Sequence, residues 1–72
     1  MKAQEKFGEK LRAYRIQQGM SQEQLALKAD IDRTYIASVE NGKRNVSIQT
    51  IHKFLKAINI PFSDFFSDFT QL

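Results

Sequence analysis

The sequence predicts an all-α fold, a compact five-helix arrangement in one domain, on three observations. Apolar residues recur at helical spacing in four successive segments. Each segment is bounded by a capping side chain or a stop signal. The chain has 72 residues with one proline and no low-complexity run, repeat or linker, which leaves room for a single modest core. A hydrophobic fraction of 42% is enough to fold a chain of this size and argues against a disordered tail.

The first helix is expected over residues 5–18, where Phe7, Leu11 and Tyr14 share a face and Glu9, Lys10, Arg12 and Arg15 supply charge. Gly19 stops it, and Met20 anchors the following turn in the core. Ser21 with Gln24 three residues later forms a capping box. It opens a second helix from Gln22 to about Ala29 that buries Leu25, Ala26 and Ala29. Asp30-Ile31-Asp32 breaks that helix, and Asp32 caps a third from Arg33 to about Glu40, with Ile36 and Val39 inward. Asn41-Gly42 ends the third helix and opens a polar loop through Lys43, Arg44 and Asn45. Ser47 caps a fourth helix whose apolar side is Ile48, Ile51, Phe54, Leu55 and Ile58, with His52 near its core side. Asn59 or Ile60 ends it before Pro61. Residues 62–68 form a short fifth helix or turn, with Pro61 near its start and Ser63 as a competing cap.

Composition excludes several functions. There is no cysteine and only one histidine, so no thiolate or histidine-rich metal site is expected, and no cofactor. No paired carboxylates, nucleophile–base set or phosphate-binding glycine loop argues for an enzyme. His52 is expected in a structural or surface role. The first twenty residues carry charges throughout and no apolar signal core, and no stretch approaches the ~20 apolar residues that span a bilayer. A cytoplasmic protein without a membrane partner is the expectation. The terminal phenylalanines could touch a membrane, but Asp64 and Asp68 oppose an anionic surface.

The net charge of +3 says little until it is divided along the chain. Residues 1–56 hold all eleven basic side chains and six of the eight acidic ones, for +5. Residues 57–72 hold only Asp64 and Asp68, for −2, together with four of the six phenylalanines. That arrangement suits a surface that meets phosphates and another that meets protein. Chance unevenness in a small domain gives the same pattern.

The informative constellation lies between Gln22 and Asn41. Two short helices with a tight break between them fit a module in which one crosses a DNA backbone while the next enters the major groove. Ala26 keeps the crossing close, and Ile31, Ile36 and Val39 lock the pair together. Spacing alone leaves an ordinary αα-hairpin as an equal alternative.

The wording is more specific than the spacing. Leu11-Arg-Ala-Tyr-Arg15, Met20-Ser-Gln-Glu-Gln-Leu-Ala26, Asp32-Arg-Thr-Tyr-Ile36 and Glu40-Asn-Gly-Lys-Arg44 together resemble the phage Cro/C1-type (XRE) helix-turn-helix family. The resemblance covers roughly residues 7–66, and within the family is nearest to controller proteins of restriction–modification systems. It implies a lambda-repressor-like domain over 1–72, with the helix-turn-helix at about 22–41 and a dimerisation region at about 60–72. Two positions depart from the family pattern. Asp30 stands where many members have Gly at the turn, and Val46 where many have Pro.

The resemblance makes the helix from Arg33 the recognition helix. Arg33 is then the main base reader, because a guanidinium can make two hydrogen bonds to a guanine edge. A cation in the first helical turn opposes the helix dipole, which favours a functional reason for its place. Thr34, Tyr35 and Ser38 are the further DNA-facing side chains, and Ala37 is exposed beside them. Gln22 at the start of the preceding helix is positioned for a phosphate or for ordinary capping. Asn41, Lys43, Arg44 and Asn45 can clamp phosphates, with Arg44 or Asn45 near the minor groove; a solvated turn is the plain alternative. Lys28 is a weaker phosphate contact. Arg15 and Glu40 match positions that family members join in a partly buried ion pair. Phe65, with Phe62 or Phe66, completes the core, and the remaining members of the set Phe62, Phe65, Phe66 and Phe69 belong to a homodimer interface.

The function expected is a homodimeric regulator of transcription that binds double-stranded DNA at a pseudo-palindromic operator. It blocks RNA polymerase or contacts it from an upstream site. A prophage-type repressor is one alternative. An antitoxin-type interaction module is another, although it needs a toxin-binding arm for which the chain leaves little room.

Overall fold

Side-chain caps set the helix boundaries in the computed structural model, which describes residues 2–69. Helix α1 runs Ala3–Gln17, α2 Gln22–Ala29, α3 Arg33–Glu40, α4 Ile48–Ile58 and α5 Phe62–Phe65. Among the described residues there is no strand. Three caps lie where local chemistry expects them. Ser21 Oγ accepts from the Gln24 N–H at 3.0 Å while Gln24 Oε1 accepts from the Ser21 N–H at 2.7 Å. Asp32 Oδ1 accepts from the Thr34 N–H, and Ser47 Oγ from the Thr50 N–H. Helix α1 begins earlier than expected because the Glu5 carboxylate reaches back to the Lys2 N–H at 3.0 Å.

The stops are left-handed residues. Gly19 has φ +72°, and Asp30 and Asn59 adopt φ 56° and 57° without being glycine. Asp30 therefore supplies the backbone geometry that Gly supplies in many family members, at a modest steric cost that Asp and Asn tolerate best among side-chain-bearing residues. The Ile31 N–H then closes the turn onto the Ala26 carbonyl at 3.0 Å.

Helix α1 lies mainly against α3, and α2 packs between α3 and α4. Phe54, Phe65, Leu11, Leu25, Ile36, Leu55, Ile58 and Val39 are fully buried where these helices converge. Each contributes about 1.5–3 kcal/mol of transfer free energy. Met20, Ile31, Val46 and Ile51 close the edges of this core.

Three expectations are corrected. Ile48 is 77% exposed: in the first turn of α4 it projects past the core that the periodicity of Ile51, Leu55 and Ile58 implies. His52 is exposed rather than on the core side, stacked on the Phe62 ring. Ser63 does not cap α5; Pro61 holds that position and no side-chain cap forms. Phe65 is wholly buried against Phe7 and Tyr14 and completes the core as expected, so of the four terminal aromatics it is the one withdrawn from any dimer interface. Phe66 and Phe69 are partly buried against the same cluster, which leaves Phe62 as the most exposed of the four. Part of the expected dimerisation region, residues 70–72, lies outside the described residues.

Candidate nucleic-acid interface

Helix α3 presents two exposed residues at its start and two buried ones behind them. Arg33 and Thr34 are exposed, while Ile36 and Val39 are sealed in the core. Asp32 fixes the first turn by taking the Thr34 N–H at 2.7 Å, so Arg33 projects from an ordered helix end. Tyr35, Ala37 and Ser38, expected to be exposed, are each half-buried. Tyr35 rests partly against the core.

The other end of α3 is held by a buried ion pair. Arg15 Nε and Nη2 meet the two oxygens of Glu40 at 2.7 and 3.0 Å, a two-pronged geometry that suits guanidinium and carboxylate. Arg15 Nη1 donates to the Met20 carbonyl at 2.8 Å, and Gln22 Nε2 donates to Glu40 Oε1 at 3.1 Å. No buried side-chain polar atom among the described residues is left without a partner. One carboxylate thus joins α1, the start of α2 and the end of α3. Gln22 is half-buried and turned toward Glu40, which capping rules did not anticipate. Its place in the first turn still leaves the α2 N-terminus available to an anion.

Gly8 is the residue whose role the sequence hid. A Cβ there would sit 2.1 Å from the Val39 carbonyl oxygen, so only glycine lets α1 approach the end of α3 this closely. A glycine inside a predicted helix reads as weak propensity, and its partner is distant in the chain.

The loop after α3 is equally constrained at its root. The Gly42 N–H bonds to the Val39 carbonyl and the Lys43 N–H to the Ser38 carbonyl, both at 3.0 Å. With φ +73° at Gly42, this is the left-handed closure that ends many helices. Gln4 Nε2 ties the Gly42 carbonyl to α1 at 3.0 Å. From that root Lys43, Arg44 and Asn45 are exposed, as is Asn41, and the Arg44 guanidinium lies 5.3 Å from the Tyr35 ring centroid. Lys28 instead lines a groove with Lys53 and Lys56 of α4, two cations that were not singled out in the sequence.

Among the described residues three cations, Lys6, Lys10 and Arg15, are paired in salt bridges, and the rest, Arg33, Lys43 and Arg44 as well as Lys2, Arg12, Lys28, Lys53 and Lys56, are not. Exposed cations beside a helix end, held by a rigid scaffold and left without a counter-charge, are suited to phosphates and base edges.

Comparison with known proteins settles the family. The helix-turn-helix family model HTH_3 matches residues 11–65. The chain belongs to the helix-turn-helix family. Among relatives of this helix-turn-helix chain, the control protein C.MunI of a Mycoplasma species is 45% identical over 64 residues, covering 88% of this chain and 86% of the relative. The crystal structure of the restriction–modification controller protein C.AhdI from Aeromonas hydrophila superposes with a TM-score of 0.84 at 43% identity, covering 88% of this chain and 96% of that one. A further structure, the controller protein C.Esp1396I as a tetramer with its natural 35-base-pair operator, gives 0.84 at 33% identity, covering 89% and 84%. This helix-turn-helix protein is a DNA-binding transcriptional regulator of the controller type. No helix among the described residues is long and apolar enough to cross a membrane.

Proposed function

We propose that the chain controls restriction–modification genes by binding, as a homodimer, a pseudo-palindromic operator near their promoter. The observation that carries this reading is the pairing of an exposed Arg33 at the capped start of α3 with a buried Arg15–Glu40 clamp at its end. A base-reading side chain must be held within a fraction of an ångström to discriminate, and this helix is fixed at both ends. The control-protein relatives, and the operator complex of C.Esp1396I, support the assignment.

In this reading Arg33 and Thr34 meet base edges, with Tyr35 and Ser38 at flanking positions. The α2 N-terminus at Gln22, together with Asn41, Lys43, Arg44 and Asn45, meets phosphates, and Lys28 adds a weaker contact. One 72-residue unit covers too little groove for tight binding, so two copies read half-sites about 34 Å apart. The exposed Phe62, stacked on His52, is the best-placed of the terminal aromatics for the two-fold contact. The protein acts in the cytoplasm by occupancy, without a catalytic step, and excludes or recruits RNA polymerase according to where it sits.

The test is selection from random duplexes followed by titration of Arg33→Ala. Enriched sequences with two-fold symmetry are expected, and the variant should lose about 10- to 100-fold on them while losing far less on unrelated duplexes. Absence of any enriched dyad would overturn the reading. Equal loss on all duplexes would make Arg33 a phosphate contact.

A further inference from the structure

We propose that Tyr35 and Arg44 act as one DNA-reading unit, in which the Tyr35 ring is a shelf that holds the Arg44 guanidinium ready for DNA. The inference rests on the reading that α3 and the following loop face the duplex, and it assigns to Tyr35 a positioning role acting through Arg44. Arg44 lies nine residues beyond Tyr35, yet the loop folds back so that its guanidinium sits 5.3 Å from the ring centroid. Both supports of this contact are rigid. Tyr35 is half-buried and packed against the core, and the loop root is fastened by the Gly42 and Lys43 N–H bonds and by Gln4.

The geometry explains what the stack achieves. A guanidinium is planar, so a ring can cover its face while its edge N–H donors stay free for a phosphate or a base edge. An exposed arginine on a loop otherwise loses much rotamer freedom when DNA fixes it. Stacking in the free protein takes part of that loss before binding, which tightens the complex without any new contact to DNA. A lysine ammonium has the charge but no plane, so it cannot use the shelf in the same way. Tyr35 therefore contributes to DNA affinity through its ring, whether or not its hydroxyl touches the duplex.

A double-mutant cycle on the full chain tests this, with the duplex enriched by selection as probe and fluorescence anisotropy as readout. Tyr35→Leu and Arg44→Gln should each weaken binding. The double variant should be weakened less than the product of the single effects by about 2- to 5-fold, the range of an exposed cation–aromatic contact. Tyr35→Phe keeps the ring and should keep that coupling. Arg44→Lys leaves Tyr35 and its packing untouched, and should weaken binding while preserving the salt dependence. In the DNA-free protein the Arg44 Cδ protons should show an upfield ring-current shift that persists in Tyr35→Phe and vanishes in Tyr35→Leu. Strictly multiplicative single effects, or Arg44→Lys binding like the parent, would overturn the shelf while leaving the operator reading intact. Failure of the parent protein to select any duplex would overturn that reading itself, and the ring-current shift would then report the stack alone.

Discussion

Helix α1 makes two seams, and they are built on opposite principles. Toward α3 the seam is geometric: Gly8 lies directly against the Val39 carbonyl, and Arg15 grips Glu40 with both prongs of its guanidinium. Toward the C-terminal segment it is aromatic. Phe7 and Tyr14 meet Phe65, Phe66 joins the cluster, and Lys6 and Lys10 lie over Phe69. Both seams combine cations with partners, but the first is buried and directional whereas the second is capped at the surface by Asp68. The difference matches what each seam holds. Helix α3, proposed to read bases, must for that role stay in one place, while the aromatic end has only to remain covered.

The largest expected effect breaks the first seam. Glu40→Ala leaves Arg15 buried without its counter-charge and removes the partner of Gln22, at a cost of about 3–5 kcal/mol in denaturant titrations. That is enough to unfold much of a domain this small. Replacing both partners with apolar residues of similar volume should recover most of the stability, which would separate the cost of a stranded charge from the value of the pair. Gly8→Ala comes next. Its methyl meets backbone rather than a yielding side chain, so α1 and α3 must part, with a loss of about 1–3 kcal/mol and weaker operator binding. If Gly8→Ala instead melts like the parent, the seam is not geometric and the contrast fails.

On the second seam, Phe66→Leu should cost less than about 1.5 kcal/mol, because a partly buried ring among other rings can be replaced by a similar volume with repacking. A larger loss in thermal melts would mean that this end too is tightly specified. Asp68→Asn should have the smallest effect and one that depends on solvent. The Lys10 hydrogen bond holds the Asp68 carboxyl below its ordinary value; lost hydration opposes it, and the charges of Lys10 and then Lys6 add to the lowering. The folded state thus binds this proton less readily than the unfolded state. The contribution is present above the ordinary carboxylate range and is lost as pH falls through the lowered folded value. The melting-temperature gap between Asp68→Asn and the parent should therefore be small near neutrality, narrow on acidification, and shrink in high salt. A gap that widens in acid would contradict the sign.

What could be read in the sequence was local. Ser21 with Gln24, Asp32 and Ser47 announce helix starts through hydrogen bonds that span only two or three residues, and all three form. The exposed start of α3 was legible for the same reason, since Asp32 fixes the first turn from which Arg33 and Thr34 leave the helix. What escaped was non-local. Gly8 against Val39, Gln22 against Glu40, and Lys10 against Asp68 each depend on how separate helices meet. The segment charges misled in the same way. The acidic end is not a separate pole, because Asp68 reaches back to neutralise cations of α1 that had been counted with the basic surface. Ile48 shows the limit of periodicity, which gives a face but not whether a neighbour extends far enough to cover its first turn.

The Glu40 carboxylate also has a consequence for how the domain opens. It is bonded at once to α1 through Arg15 and to α2 through Gln22, and it belongs to α3. Detaching α1 or α3 leaves Arg15 or Glu40 without its counter-charge, and detaching α2 takes a hydrogen bond from Glu40, so partial opening of the three is disfavoured over opening together. Amide protons across α1, α2 and α3 should then exchange with one common protection factor, while those of the short α5 exchange sooner.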